Sequence, residues 1–285
     1  MGIRSQVAIF LFGAITQYTP MSGGPNTQAY IISDSRGRGL IQATSSFDEI
    51  KTNLNISLQL IVKPGAKLEE LLRCAEEKLL NTQTVQVAII GGICDLTNRT
   101  SDRNHLRYNR SIANINNIKT LIRESYVRWG AKLNIATIYP ASLSGYAEFR
   151  NTLCTAEEEE QSHLIEDIDS LNEEIIAANK RLEQPTIDLN RILFSFTKKK
   201  GPNSTRKRKF LHRYLSDGVH PTETTQVKCA TRVAAVLKRN LTVSILEKRS
   251  ANKRQLEGEV LASSQESGEE EPDEATTKAC KRARR

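Results

Sequence analysis

The chain has 285 residues, of which 38% are hydrophobic and 26% are charged, and its formal net charge is +8. This length allows one sizeable core, and the modest apolar share indicates that part of the chain stays outside it. Five dispersed cysteines without C-x-x-C pairing argue against a disulfide scaffold or a zinc site, and neither a metal nor an organic cofactor is implied.

The amino-terminal segment, residues 1–27, is expected to be flexible or signal-like. Val7 to Ile15 is an apolar run of the length of a signal-peptide core, but no small-x-small cleavage site follows it. The run is too short to span a bilayer, so we expect no transmembrane segment there. The cysteine usage favours an intracellular location, cytoplasmic or nuclear, while the sequence leaves secretion open.

From Gln28 onwards, short β-like runs alternate with helical stretches. The hydrophobic pattern predicts strands at Ala29–Ile32, Leu58–Val62, Val85–Ile90, Leu133–Ile138 and Thr186–Leu189. The first predicted helix, after Leu58–Val62, buries Leu68, Leu71, Leu72 and Leu79, and the second, Ile112–Trp129, buries Ile112, Ile115, Ile118, Ile122 and Val127. Two further helices are predicted at Ala156–Glu183 and Gln226–Leu237. This alternation predicts an α/β domain over residues 28–246: a three-layer, doubly wound parallel sheet with helices on both faces.

Two charged segments fall outside this pattern. Lys198 to Arg213 carries eight Lys or Arg in sixteen residues and is expected to be an exposed basic loop. Residues 247–285 combine an acidic block, Glu269 to Glu274, with a basic end, Lys281 to Arg285, and are expected to form a disordered charged tail.

Three polar or small residues follow three of the predicted strands. Ser35, Gly65 and Cys94 each lie just beyond a strand end. Ligands of open parallel sheets bind at the carboxyl ends of the strands, so these residues are expected to meet at one edge. A fourth element, Asp217-Gly218-Val219-His220, can place a carboxylate against an imidazole, as a nucleophile's base requires. Each element taken alone has a plain alternative, a helix cap at Ser35 and a polar loop at His220.

Together these motifs resemble the blocks of the SGNH (GDSL-like) hydrolase family, in the family's order and over about three quarters of the chain. The blocks appear as Ser33-Asp34-Ser35, Lys63-Pro64-Gly65-Ala66-Lys67-Leu68, Gly92-Ile93-Cys94-Asp95 and Asp217-Gly218-Val219-His220-Pro221. The resemblance implies a flavodoxin-like sheet and hydrolysis of a small or lipid-like ester through an acyl-enzyme. It makes Ser35 the nucleophile, His220 the base and then acid, and Asp217 the orienting carboxylate.

The resemblance also implies an oxyanion hole formed by Ser35, Gly65 and the residue at position 94. That residue is Cys94 where the family has asparagine, and a thiol is a weak donor. Loss of one oxyanion donor costs roughly 100- to 1000-fold in turnover, so activity is expected to be slow or absent. Cys94 could instead be a nucleophile or a small buried residue filling the asparagine's space.

Other side chains near these motifs have two interpretations. Arg36 and Arg38 could neutralise an acidic substrate near Ser35 or be solvated loop arginines. Asp95 is a weaker substrate-binding candidate, and with Asn98 it could instead cap or brace the loop after the third strand.

The alternative function is a catalytically inactive module that keeps the hydrolase fold and contacts nucleic acid weakly through Lys198–Lys209 and Lys281–Arg285. Such electrostatic binding would fall steeply with salt. Some mobile genetic elements encode esterase-like domains of this family beside nucleic-acid-handling domains, which is compatible with this reading. A flavin or nucleotide binder is disfavoured because neither G-x-G-x-x-G nor a phosphate-binding loop is present.

Overall fold

A computed structural model of the chain describes residues 27–154, 158–197 and 207–266. Its compact units are Met1–Thr242 and Val243–Arg285, and the second is described only as the end of the last helix. The strands are β1 (Gln28–Ser33), β2 (Ser57–Val62), β3 (Thr84–Ile90), β4 (Thr97–Arg99), β5 (Leu106–Tyr108), β6 (Leu133–Ile135), β7 (Phe194–Thr197) and β8 (Lys207–Phe210). The helices are α1 (Ser46–Leu54), α2 (Leu68–Leu79), α3 (Ile93–Leu96), α4 (Ile112–Trp129), α5 (Leu143–Phe149), α6 (Glu158–Arg181) and α7 (Glu223–Glu266).

The central sheet is parallel and has the strand order β2-β1-β3-β6. β1 lies between β2 and β3, so Ser33 is opposite Val62 on one side and Ile90 on the other. Helices cover both faces, and the predicted α/β architecture is confirmed. This is the order of flavodoxin-like sheets, in which the chain reverses direction across the sheet beside β1.

The sequence patterns that predicted the sheet have a direct packing origin. Every residue of β3 is buried, as a nearly continuous apolar run between two helical layers requires. The leucines at positions 68, 71, 72 and 79 are all buried on α2, which confirms the predicted helical face. Apolar burial therefore accounts for β3 and for the inner face of α2.

The predicted buried face of α4 needs a correction. Ile115, Ile118 and Ile122 are buried, but Ile112 is 76% exposed and Val127 is 86% exposed. The core position is taken by Tyr126, whose hydroxyl accepts a hydrogen bond from the N–H of Ile135. Successive helical residues point about 100° apart, so burying Tyr126 turns Val127 towards solvent.

The last predicted strand, Thr186–Leu189, is not a strand in the structure. Its segment runs beside the end of β6, where the N–H of Thr137 donates to Ile187 O at 2.9 Å. This backbone bond is accompanied by side-chain hydrogen bonds of Thr137 to Asp188 and Asn190, and no continuous ladder forms. The paired strand β6 therefore ends at Ile135, earlier than predicted.

Both charged segments differ from expectation where they are described. The end of the expected basic loop forms β8, which pairs antiparallel with β7, and residues 198–206 lie outside the described residues. The expected tail from residue 247 is helical as far as Glu266, since this stretch is rich in Glu, Lys, Arg, Gln, Leu and Ala and contains no proline. The acidic block, the basic end and the amino-terminal run Val7–Ile15 also lie outside the described residues. In the described part of the chain, none of the helices has the length and hydropathy needed to cross a bilayer.

Candidate active site

Ser35 lies on a tight turn that leaves the sheet at the carboxyl end of β1. The turn is one 3-10 helical turn, Ser35–Gly37, whose N-cap is Asp34. The N–H of Asp34 donates to Ile90 O on β3 at 3.1 Å, while its Oδ1 accepts the N–H of Arg36 at 2.9 Å. Both neighbours of Ser35 are thus held, and the serine is fixed between them.

Asp217 and His220 share a turn that packs against the start of α5. The backbone of Gly218 has a φ of +77°, and a Cβ at this position would lie 2.3 Å from the backbone nitrogen of Tyr146. The N–H of Ser142 donates to Gly218 O at 2.7 Å. Only glycine combines this left-handed conformation with such close backbone contact, so the turn is fixed relative to α5.

The structure brings the three predicted triad residues into one chain of contacts. His220 Nε2 lies 2.9 Å from Ser35 Oγ, and His220 Nδ1 lies 2.6 Å from Asp217 Oδ2. Ser35 and His220 are 185 positions apart in sequence. The serine is half-buried, and the side chains of His220 and Asp217 are 28% and 20% exposed, so the hydroxyl and the imidazole remain accessible.

The electrostatics of this contact chain favour an ionised Asp217. Partial burial by itself would raise the pKa of Asp217. Hydrogen bonds from the His220 side chain and from the N–H groups of His220 and Val219 outweigh burial and lower that pKa to about 2. Asp217 therefore carries a negative charge beside the imidazole throughout the neutral range, where it can orient the ring and stabilise its protonated form.

Gly65 lies in the turn that follows β2, next to the end of β1. The N–H of Lys63 donates to Ser33 O at 2.7 Å. Gly65 adopts a φ of +76° within a turn that is closed by a hydrogen bond from the N–H of Ala66 to Lys63 O. Within the described residues, the N–H groups of Ser35 and Gly65 donate to no acceptor. Both remain available to a ligand at this edge of the sheet.

Cys94 lies in the short helix α3, directly after β3. Burial is the main reason that its pKa is raised to about 11, and the nearby charge of Asp34 raises it further. The side chain is therefore a thiol rather than a thiolate at neutral pH, which disfavours Cys94 as a nucleophile. These properties support the interpretation as a small, partly buried residue in the position of the family's asparagine.

Arg36 differs from both interpretations that the sequence offered. Its side chain is 1% exposed and forms an ion pair with Asp34 at 3.2 Å. Its Nη1 donates to Tyr139 O at 2.9 Å, and its guanidinium stacks on the Tyr139 ring at 4.1 Å. Burial by itself would lower the pKa of Arg36, but the charge of Asp34 raises it, so the guanidinium stays protonated. Arg36 is a buried support beneath Ser35 and is neither a substrate contact nor a solvated loop residue.

Asp95 braces two loops. Its Oδ2 accepts the N–H of Leu68, the first residue of α2, at 2.8 Å, and its backbone oxygen accepts Asn114 Nδ2 at 2.7 Å. Burial raises the pKa of Asp95 to about 6 despite the hydrogen bond from Leu68. This position agrees with the bracing interpretation. Arg38 and Asn98, by contrast, are exposed.

Residues that the sequence did not single out complete the site. The backbone oxygen of Tyr139 accepts a hydrogen bond from the Arg36 guanidinium. Tyr146 and Ser142 contact Gly218 in the turn between Asp217 and His220. The only local signal for the buried pair was the Asp-Ser-Arg tripeptide itself, because acidic and basic residues two positions apart usually stay in solvent.

The fold is similar to those of several solved structures. The structure is similar to that of a lipase/acylhydrolase from Enterococcus faecalis, with a TM-score of 0.50 and 16% identity over 74% of this chain and 95% of that one. A GDSL-like lipase from Bacteroides thetaiotaomicron aligns with a TM-score of 0.47 and 16% identity over 77% of this chain and 89% of that one. No family model matches the sequence, and the search of curated proteins gave no match. The chain has an SGNH hydrolase-like fold, as the resemblance implied.

Proposed function

We propose that this protein is a serine ester hydrolase that acts through an acyl-enzyme. The observation that carries the proposal is the contact chain from Ser35 Oγ through the imidazole of His220 to the carboxylate of Asp217, with distances of 2.9 and 2.6 Å. A hydroxyl, an imidazole and a carboxylate in this order can produce a nucleophile at neutral pH.

In the proposed reaction, His220 Nε2 takes the hydroxyl proton as Ser35 Oγ attacks the carbonyl carbon of the ester. Asp217 stabilises the imidazolium that forms. The imidazolium then protonates the leaving alcohol, which leaves an acyl group on Ser35. A water molecule, deprotonated by the same imidazole, attacks the acyl-enzyme, and the imidazolium returns the proton to Ser35 Oγ as the acid is released.

The oxyanion that develops on the carbonyl oxygen needs donors at the same edge. We assign this role to the N–H groups of Ser35 and Gly65, which have no acceptor within the described residues. Cys94 is the third position of the hole, where its protonated thiol is a weak donor. The proposal therefore includes slow turnover, because one strong donor is missing.

The test is covalent labelling of the purified full chain by a fluorophosphonate probe. Labelling is expected in the wild type and in Ser144→Ala, a control at an exposed serine. It should be absent in Ser35→Ala and much slower in His220→Ala. A folded wild-type protein that takes up no label, or Ser35→Ala labelled at the wild-type rate, would contradict the proposal.

A second candidate is a non-catalytic module that binds nucleic acid through its basic surface. It is favoured by Cys94, which weakens the oxyanion hole, and by the exposed cations Lys209, Arg213 and Lys228 near β8 and α7. Arg208 contributes less, since it pairs with Asp169. Most of Lys198–Lys209 and all of Lys281–Arg285 lie outside the described residues.

The test of this second candidate is the salt dependence of oligonucleotide binding. Affinity that falls steeply with salt and ignores sequence would support it. Binding that is insensitive to salt, or no binding at low salt, would contradict it.

A further inference from the structure

The loops that carry the three proposed oxyanion donors also carry exposed cations. Arg38 is the C-cap residue of the Ser35 turn, and its N–H donates to Ser35 O at 3.3 Å. Lys63 accepts the hydrogen bond from Ala66 that closes the Gly65 turn, and Lys67 is the N-cap residue of α2 that follows the turn. Arg99 lies on β4, which follows Cys94 and α3 directly. All four side chains belong to exposed residues.

The same three loops expose no acidic side chain. Across residues 33–42, 63–68 and 91–99, the only acids are Asp34 and Asp95. Asp34 is 0% exposed and neutralised by Arg36, and Asp95 is 9% exposed and bonded to the start of α2. In the described part of the chain, none of the four cations forms an ion pair with a carboxylate.

The two acids in the first turn of α2, next to these loops, have partners of their own. Glu69 pairs with Arg73 at 3.9 Å, and Glu70 accepts the backbone N–H of Lys67 at 3.2 Å. The guanidinium carbon of Arg99 lies 5.8 Å from the centre of the Tyr146 ring, and the backbone of Tyr146 packs against Gly218 in the turn that carries Asp217 and His220. All four cations thus belong to loops that follow β1, β2 and β3, at the edge of the sheet where Ser35 lies.

We propose that the ester cleaved at Ser35 carries a second, anionic group, a carboxylate or a phosphate, which Arg38, Lys63, Lys67 and Arg99 attract to this edge. The inference rests on the hydrolase activity proposed above and adds the class of substrate. A set of like charges beside a cleft raises the local concentration of an oppositely charged substrate, and this effect weakens with salt. The local concentration of a neutral ester is not raised by these charges.

The test compares pairs of esters that differ in one charge. Mono(4-nitrophenyl) succinate and its neutral methyl ester form the carboxylate pair, and 1-butyrylglycerol 3-phosphate and 1-butyrylglycerol form the phosphate pair. We expect kcat/KM to be about tenfold higher for the anionic member of at least one pair at low salt. The preference should come from KM, and it should nearly vanish in about 0.5 M NaCl, where the Debye length is only about 4 Å.

Variants distinguish the effect of the cations near Ser35 from the effect of the protein's overall positive charge. Arg99→Gln and Lys63→Gln should each reduce the anionic-to-neutral ratio about twofold to fivefold. Lys132→Gln is the matched control, because Lys132 is exposed just before β6, at the opposite edge of the sheet, and its ratio should stay at the wild-type value.

The outcomes distinguish this inference from the proposed activity. The inference is overturned if the neutral esters are cleaved and the anionic esters are not preferred, or if Arg99→Gln and Lys63→Gln both keep the wild-type preference. Neither result affects the proposed hydrolase activity. If the folded protein cleaves neither member of either pair and takes up no fluorophosphonate, the hydrolase proposal fails and the substrate inference fails with it.

Discussion

Replacing Arg36 by methionine tests how much the buried ion pair next to Ser35 contributes to the stability of the fold. The change leaves the carboxylate of Asp34, which is fully buried, without its charged partner. Removing one member of a buried pair costs about 3–5 kcal/mol, because the remaining charge is still kept from water. Since a domain's whole stability is about 5–15 kcal/mol, the free energy of unfolding should fall by a large fraction.

Urea denaturation followed by circular dichroism measures this loss. The double variant Asp34→Asn/Arg36→Met removes both charges, so it should recover about 2 kcal/mol or more relative to the sum of the single changes. Arg38→Met is the matched control, because Arg38 is exposed, and it should change the free energy of unfolding by less than about 0.5 kcal/mol. An Arg36→Met variant as stable as this control would refute the reasoning.

Three further predictions concern single residues of the site. Asp217→Asn should lower kcat for 4-nitrophenyl butyrate about 10³- to 10⁴-fold, since the imidazole loses its orienting charge, and a loss below tenfold would count against the triad. Cys94→Asn should raise kcat for the same ester at least about tenfold by restoring an amide donor, whereas Cys94→Ala should stay near wild type; equal rates in all three would contradict the oxyanion assignment. Burial raises the pKa of Asp95 to about 6, above its usual value near 4, so its folded form binds the proton more tightly and stability is lost as pH rises from about 4 through 6. Asp95→Asn should therefore match wild type near pH 4 and exceed its free energy of unfolding by about 3 kcal/mol near pH 8, and equal urea midpoints at pH 8 would contradict this.

The sheet and the edge at which the site lies were predictable from sequence because they depend on burial. A strand covered on both faces must be apolar throughout, and β3 is such a run. The residues after such strands lie at the carboxyl edge, and this predicted that Ser35, Gly65 and Cys94 would meet at one edge of the sheet. The contact of His220 with Ser35 needed the family resemblance, since no local pattern relates residues 185 positions apart.

Features that depend on polar pairing could not be predicted in the same way. β4 consists of Thr97, Asn98 and Arg99, a sequence without apolar alternation, and its pairing with β5 is defined by backbone hydrogen bonds. Burial of Arg36 depends on a carbonyl from Tyr139, more than a hundred residues away. Such partners come together only through the tertiary structure.

The exchange of Val127 for Tyr126 on α4 shows the limit of a hydrophobicity pattern. Valine is the more apolar residue, yet the tyrosine is buried because its hydroxyl is satisfied by the N–H of Ile135 and by Asn179 Oδ1. A pattern that ranks residues by apolar character cannot register a polar group whose partner comes from another element.

The long separation between Ser35 and His220 has a consequence for synthesis of the chain. The strands of the central sheet end at Ile135, so a nascent polypeptide can complete its sheet well before residue 220 leaves the ribosome. At that stage the serine hydroxyl has no imidazole beside it and is an ordinary alcohol. A product truncated before His220 would also lack α7, whose Val233 and Leu237 are fully buried, so the proposed ester cleavage requires translation past this residue.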